Sequence, residues 1–147
     1  MQLQKFNLVM EKSKDYNTFK ELAPTASPYD AYELAKVFQL DKQPEEVFAV
    51  AGFDMQNNPT SYFEVHRGKL TESLVGAREI FKRLIVANAR SFIAFHNHPS
   101  GLATPSPADE FVTKELKKIG NTLEIELLDH IIVGDDTFYS FNENGKL

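Results

Sequence analysis

The chain has 147 residues, 42% hydrophobic and 25% charged, enough to bury one core and too apolar for a disordered chain. It contains no cysteine, which excludes disulfide staples, cysteine-held zinc or iron–sulfur sites and a thiol nucleophile. Its net charge of −5 lacks the basic excess of a phosphate-backbone binder, so nucleic acid is not an expected partner.

Residues 1–10 are expected to form an opening strand, and 11–26 are polar without a clear period, so 1–26 reads as an N-terminal extension. The start has no apolar signal core and no apolar run approaches a membrane span. A cytoplasmic protein without a membrane partner is the expectation. A helix is predicted from Pro28 to about Phe38, with Ser27 as cap, Pro28 in the first turn and Asp30 at the capping-box position. Val47 to Phe53 reads as a strand, the cluster Asp54-Met55-Gln56-Asn57-Asn58-Pro59 as a turn, and Tyr62 to His66 as the hairpin partner. From Arg78 to Asn88, apolar residues at 80, 81, 84, 85 and 87 have helical spacing. Phe92 to Phe95 is a short apolar run, as in a buried central strand. Ser106 to Ile119 repeats the helix-start pattern and is expected to end at Gly120-Asn121. Leu123 to Leu127, Asp129 to Val133 and Phe138 to Phe141 read as three short strands. The order α-β-β-α-β-α-β-β-β predicts one α/β (α+β) domain, a mixed and mostly antiparallel sheet flanked by helices.

Without cysteine, a metal must sit on imidazole and carboxylate, and there are four histidines: His66, His96, His98 and His130. His96 and His98 are two apart at the end of the Phe92–Phe95 run, so on extended backbone they project to one side. Pro99 and Gly101 then turn the chain, and Asp109 falls in the first turn of the next helix, from which it can reach back as a third ligand. Two imidazoles and one carboxylate suit zinc and leave the fourth position to water, the catalytic arrangement. Each part also has a plain reading. Paired histidines occur at strand ends by chance, and Ser-Pro-x-Asp is an ordinary helix start, present again at Ser27-Pro28-Tyr29-Asp30 with no histidine nearby.

The joint pattern of His96, His98, Pro99, Ser106 and Asp109 resembles the JAMM metalloprotease signature of the JAB/MPN family. The run His96-Asn97-His98-Pro99-Ser100-Gly101, then Pro105, Thr113 and Leu116, is similar to its bacterial RadC branch. Similarity continues through Leu128-Asp129-His130-Ile131-Ile132-Val133 and Tyr139-Ser140-Phe141, and upstream through Arg78-Glu79-Ile80-Phe81-Lys82 and the Glu46 to Asp54 strand, about residues 27–147 in all. The resemblance implies a JAB/MPN-like layered fold and Zn2+ held by His96, His98 and Asp109. It implies a general base at Glu46, with Glu45 as the neighbour it could be confused with, and an oxyanion donor at Ser106. The implied reaction is hydrolysis of an amide or isopeptide bond in a peptide or protein substrate. Two other readings stand beside it: a non-catalytic protein-interaction module on the same fold, and a DNA-repair-associated role suggested by the RadC name.

The chain departs from the RadC pattern in three places. Residues 1–26 contain no helix-hairpin-helix segment, Gly76-Ala77 precede Arg78-Glu79 where the branch has His-Pro, and Lys69 follows Gly68 where threonine is common. His130 and Asp129 are expected to be structural, and His66 to lie on the surface near a turn.

Overall fold

A computed structural model describes Gln4 and residues 24–74 and 76–147. The expected opening strand over residues 1–10 and most of the polar stretch 11–26 lie outside the described residues.

Helix α1 (Pro28–Val37) starts as its sequence dictates, with the Ser27 hydroxyl accepting from the Asp30 N–H at 3.1 Å. Strand β1 (Val47–Phe53) pairs antiparallel with β2 (Pro59–Arg67), which is longer at both ends than its apolar signal. Helix α2 (Ala77–Val86) leads into β3 (Ser91–Asn97), and α3 (Pro107–Leu123) into β4 (Glu126–Val133) and the short β5 (Phe138–Ser140). Single turns of 3-10 helix occupy Leu40–Lys42 and Glu72–Leu74.

The five strands lie in the order β2-β1-β3-β4-β5, and only the β3–β4 pair is parallel. Central β1 and β3 are buried along their whole length, which explains their unbroken apolar runs. Alternation then sorts their side chains. Val47, Ala49, Ala51, Phe53, Ile93 and Phe95 pack with α1. Phe48, Val50, Phe92 and Ala94 pack with Ile80, Phe81 and Leu84 of α2 and Val112 and Leu116 of α3. The result is a layered domain with α1 on one face of the sheet and α2 and α3 on the other.

Two expectations need correction. The separate strands at Leu123–Leu127 and Asp129–Val133 are one strand, β4, so this part of the chain has one strand fewer than predicted. Phe92 pairs with Leu127 and Ile93 with Asp129, so Leu128 is passed over as a bulge. The bulge reverses the alternation, which is why the run looked like two strands. It sends Leu127 and His130 to the α3 face and Ile131 and Val133 to the α1 face. The other correction concerns α3, which does not end at Gly120-Asn121. It continues to Leu123, and Glu124 takes the left-handed conformation (φ 57°) that closes it. The Ile125 N–H returns to the Gly120 carbonyl at 2.9 Å. A Cβ at Gly120 would lie 2.5 Å from the Ile125 oxygen, so this glycine serves close packing rather than a positive φ.

Candidate metal centre

His96 is the last α3-facing residue of β3, 1% exposed, opposite Phe48 of β1 and beside Ile132 of β4. His98 lies one residue past the strand, where its N–H donates to the Val133 carbonyl at 2.8 Å and its carbonyl accepts from the Gly101 N–H at 2.9 Å. These bonds fix the turn. The His98 Nδ1–H donates to the Leu102 carbonyl at 2.9 Å, which leaves Nε2 to face Asp109.

Asp109 supplies the third side. Ser106 caps α3 in a full capping box. Its hydroxyl accepts from the Asp109 N–H at 3.1 Å, and its own N–H donates to Asp109 Oδ2 at 2.7 Å. This sets Asp109 in the first turn, fully buried, with Oδ1 2.7 Å from His96 Nδ1 and Oδ2 3.2 Å from His98 Nε2. One ligand atom from each of His96, His98 and Asp109 lies within 4.8 Å of the others. Burial raises the Asp109 carboxyl, but hydrogen bonds from His96 and His98 together outweigh it and hold the group well below the usual carboxylate range. The same pairing with Asp109 raises His98, against a smaller opposing effect of burial.

Within this cluster one ring nitrogen is left over. His96 Nε2 is buried and has no hydrogen-bond partner. A buried ring nitrogen without a partner is costly, and a metal ion is one group that would satisfy it. The donor set therefore fits a metal ion. Glu46 faces the same nitrogen, with Oε2 3.5 Å away. The two neighbouring glutamates have different surroundings. Glu45 is exposed and pairs with Arg67, whereas Glu46 is half-buried beside the cluster and accepts from the Leu70 N–H at 3.0 Å. Ser106 takes its expected cap position: its hydroxyl accepts from the Asp109 N–H and donates its own proton to Asp109 Oδ2 at 2.8 Å.

Behind Asp109, the Thr113 hydroxyl donates to the Asp109 carbonyl at 2.6 Å. Having one proton, it must accept from the His130 Nδ1–H at 2.7 Å. His130 is fully buried, stacked on Phe141, and burial pushes it down to about 3, so it is neutral. Asp129 accepts from the His130 and Asn142 N–H groups and the Ser140 hydroxyl, tying β4 to the turn after β5. Both residues are buried and hydrogen-bonded, as expected. His66 is not at a turn; it lies half-buried within β2, paired with Phe48.

Sequence reasoning overlooked the contributions of Asn97 and Leu70. The signal for Asn97 was available: a polar side chain at the α1-facing parity of a buried strand must find partners inside.

The fold and this cluster define a layered JAB/MPN-type domain with a site able to hold a metal ion. A family model for the RadC-like JAB domain matches residues 25–146, and the chain belongs to that family. It is 44% identical over 109 residues to a UPF0758 protein of Leptothrix cholodnii, covering 74% of this chain and 49% of that protein. A UPF0758 protein of Chlorobaculum parvum is 44% identical over 118 residues, 80% of this chain and 53% of that one. One from Xylella fastidiosa is 37% identical over 124 residues, 83% and 55%. The chain therefore spans about half the length of the curated relatives it matches. No helix among the described residues is long and apolar enough to cross a membrane.

Proposed function

We propose that this chain is a zinc-dependent peptidase or isopeptidase of the JAMM type, with zinc on His96, His98 and Asp109. The observation that carries the reading is the unpartnered, buried His96 Nε2, close to a carboxylate that is itself reachable. Bound zinc would supply Lewis-acid polarisation of the scissile carbonyl and a more acidic water.

The chain's own residues do the rest. The Glu46 side chain is 31% exposed, open enough to meet water and substrate, and its Oε2 is oriented by the Leu70 N–H. Glu46 accepts the proton of the attacking water and returns it to the leaving amine. The Ser106 hydroxyl turns from Asp109 Oδ2 to donate to the oxyanion that forms on the substrate carbonyl, while its backbone N–H keeps Asp109 in place. The substrate is a peptide or protein amide, and the net charge of −5 speaks against a nucleic acid.

The test is metal content after purification without chelators, wild type beside His98→Ala, followed by amide hydrolysis by Glu46→Gln. The expected result is about one zinc per chain, lost in His98→Ala, with zinc kept and hydrolysis lowered about 100-fold or more in Glu46→Gln. Wild-type chain without zinc overturns the reading. Zinc present with full native function in Glu46→Gln would instead support an interaction module.

A further inference from the structure

Asn97 stands between the two histidines of the cluster, but alternation sends its side chain to the opposite face of the sheet. It is 3% exposed, and its side-chain hydrogen bonds among the described residues fall on one short segment. Its Oδ1 accepts from the Val47 N–H at 2.7 Å. Its Nδ2 donates to the Glu45 carbonyl at 3.0 Å and reaches the Gln43 carbonyl at 3.4 Å. These partners bracket Glu46 on both sides.

The backbone ladder between β3 and β1 ends at the pair His96–Phe48. One residue further on, the Asn97 side chain replaces the main chain as the partner of Val47. Glu46 itself lies outside β1, where no regular ladder holds it. Its carbonyl accepts from the Gly68 N–H at 2.7 Å and its carboxylate from the Leu70 N–H at 3.0 Å. A carboxamide suits this position because it donates and accepts from one rigid plane. An aspartate would accept from Val47 but place negative charge against two carbonyls, and a serine has a single proton and a shorter reach.

We propose that Asn97 is the positioning residue of Glu46. The motif then does two jobs with three consecutive residues: His96 and His98 face the metal site, and Asn97, on the other face, clamps the backbone that carries the base. The importance of this clamp for chemistry rests on the reading of Glu46 as the proton acceptor. The clamp itself does not, and it can be tested on the metal-free chain.

The test is residue-resolved amide hydrogen exchange by NMR on wild type, Asn97→Asp and Asn97→Ala, with zinc content measured in parallel. The Leu70 amide reports on Glu46 because it donates to that carboxylate. In both variants it is expected to exchange about tenfold faster, the scale of one lost hydrogen bond, with the Ala94 and Phe95 amides within about twofold of wild type. Zinc content per chain stays at the wild-type level. Unchanged Leu70 exchange in a folded variant overturns the proposal. So does equal acceleration at Ala94 and Phe95, or loss of zinc, since either means general loosening. Failure of both variants to fold overturns it as well, assigning Asn97 to the fold. The expected exchange pattern in a chain that hydrolyses no amide supports the clamp and removes only the hydrolase reading.

Discussion

Two helices in this chain begin with the same Ser-Pro-x-Asp pattern. Ser27-Pro28-Tyr29-Asp30 opens α1 and Ser106-Pro107-Ala108-Asp109 opens α3. Both serines accept from the aspartate N–H three residues on, at 3.1 Å in each case. The aspartates then diverge. Asp30 is half-buried and its carboxylate returns to the Ala26 N–H. Asp109 is fully buried, closes its capping box on Ser106 and meets two imidazoles. Four residues further on, α1 has the apolar Leu34 and α3 has Thr113, bonded to His130. Local sequence makes a helix start in both places. Only the one that sits over the end of β3 joins a cluster able to hold a metal ion, because His96 and His98 stand there.

Substitutions at matched positions test this contrast. The largest effect is expected from the aspartates. Asp109→Asn should weaken metal binding by more than about 100-fold, beyond what an outer-shell change does, whereas Asp30→Asn should leave it unchanged. Isothermal titration with zinc on the two variants measures both. Equal effects would mean that the cluster is not the binding site.

The next effect is the pH dependence of the histidine packed behind α3. His130 lies behind α3 and is pushed down to about 3 by burial. Its folded value is below its unfolded value, so between about 6.5 and 3 the unfolded chain binds the extra proton and stability falls as pH falls, by about 1.4 kcal/mol per unit at most. From pH 6 to 4.5 the metal-free wild type should lose about 2 kcal/mol through this group, and His130→Phe should lack that share of the slope. Urea midpoints at the two pH values check it. His98 has the opposite sign. Its folded value is raised, so its contribution is complete below the unfolded value and is lost as pH rises through the folded one.

Thr113→Val leaves the His130 Nδ1–H without its partner and should cost about 1–3 kcal/mol of stability. The smallest effects are those of the caps. Ser27→Ala and Ser106→Ala should each cost about 1 kcal/mol by chemical denaturation. Here the two starts should look alike in stability and differ in hydrolysis, which only Ser106→Ala should lower.

Much of the site was readable before the structure. The spacing of His96 and His98, the turn at Pro99–Gly101 and the helix start at Ser106 are short-range features whose geometry follows from period two and from capping. The choice between Glu45 and Glu46 was not readable, because neighbouring residues at a strand entrance differ only in which neighbour each meets. Arg67 takes Glu45, and the His96 side of the sheet takes Glu46. The end of α3 was misread for a related reason. A glycine near a helix end suggests a left-handed cap, but Gly120 is there for the approach of the Ile125 backbone and Glu124 adopts the positive φ.

The sequence by itself determined where helices begin, which runs are buried on both faces, and that any metal must rest on imidazole and carboxylate, since these follow from residue type and near-neighbour spacing. The tertiary structure decided which of two Ser-Pro-x-Asp helix starts joins the histidine cluster. It also decided which glutamate faces it, how a bulge at Leu128 turns His130 toward Thr113, and why an asparagine lies between the histidines. Each of these depends on strands about 50 or fewer residues apart in sequence coming within one hydrogen bond of each other, as Asn97 and Val47 do at 2.7 Å. No local period encodes that distance.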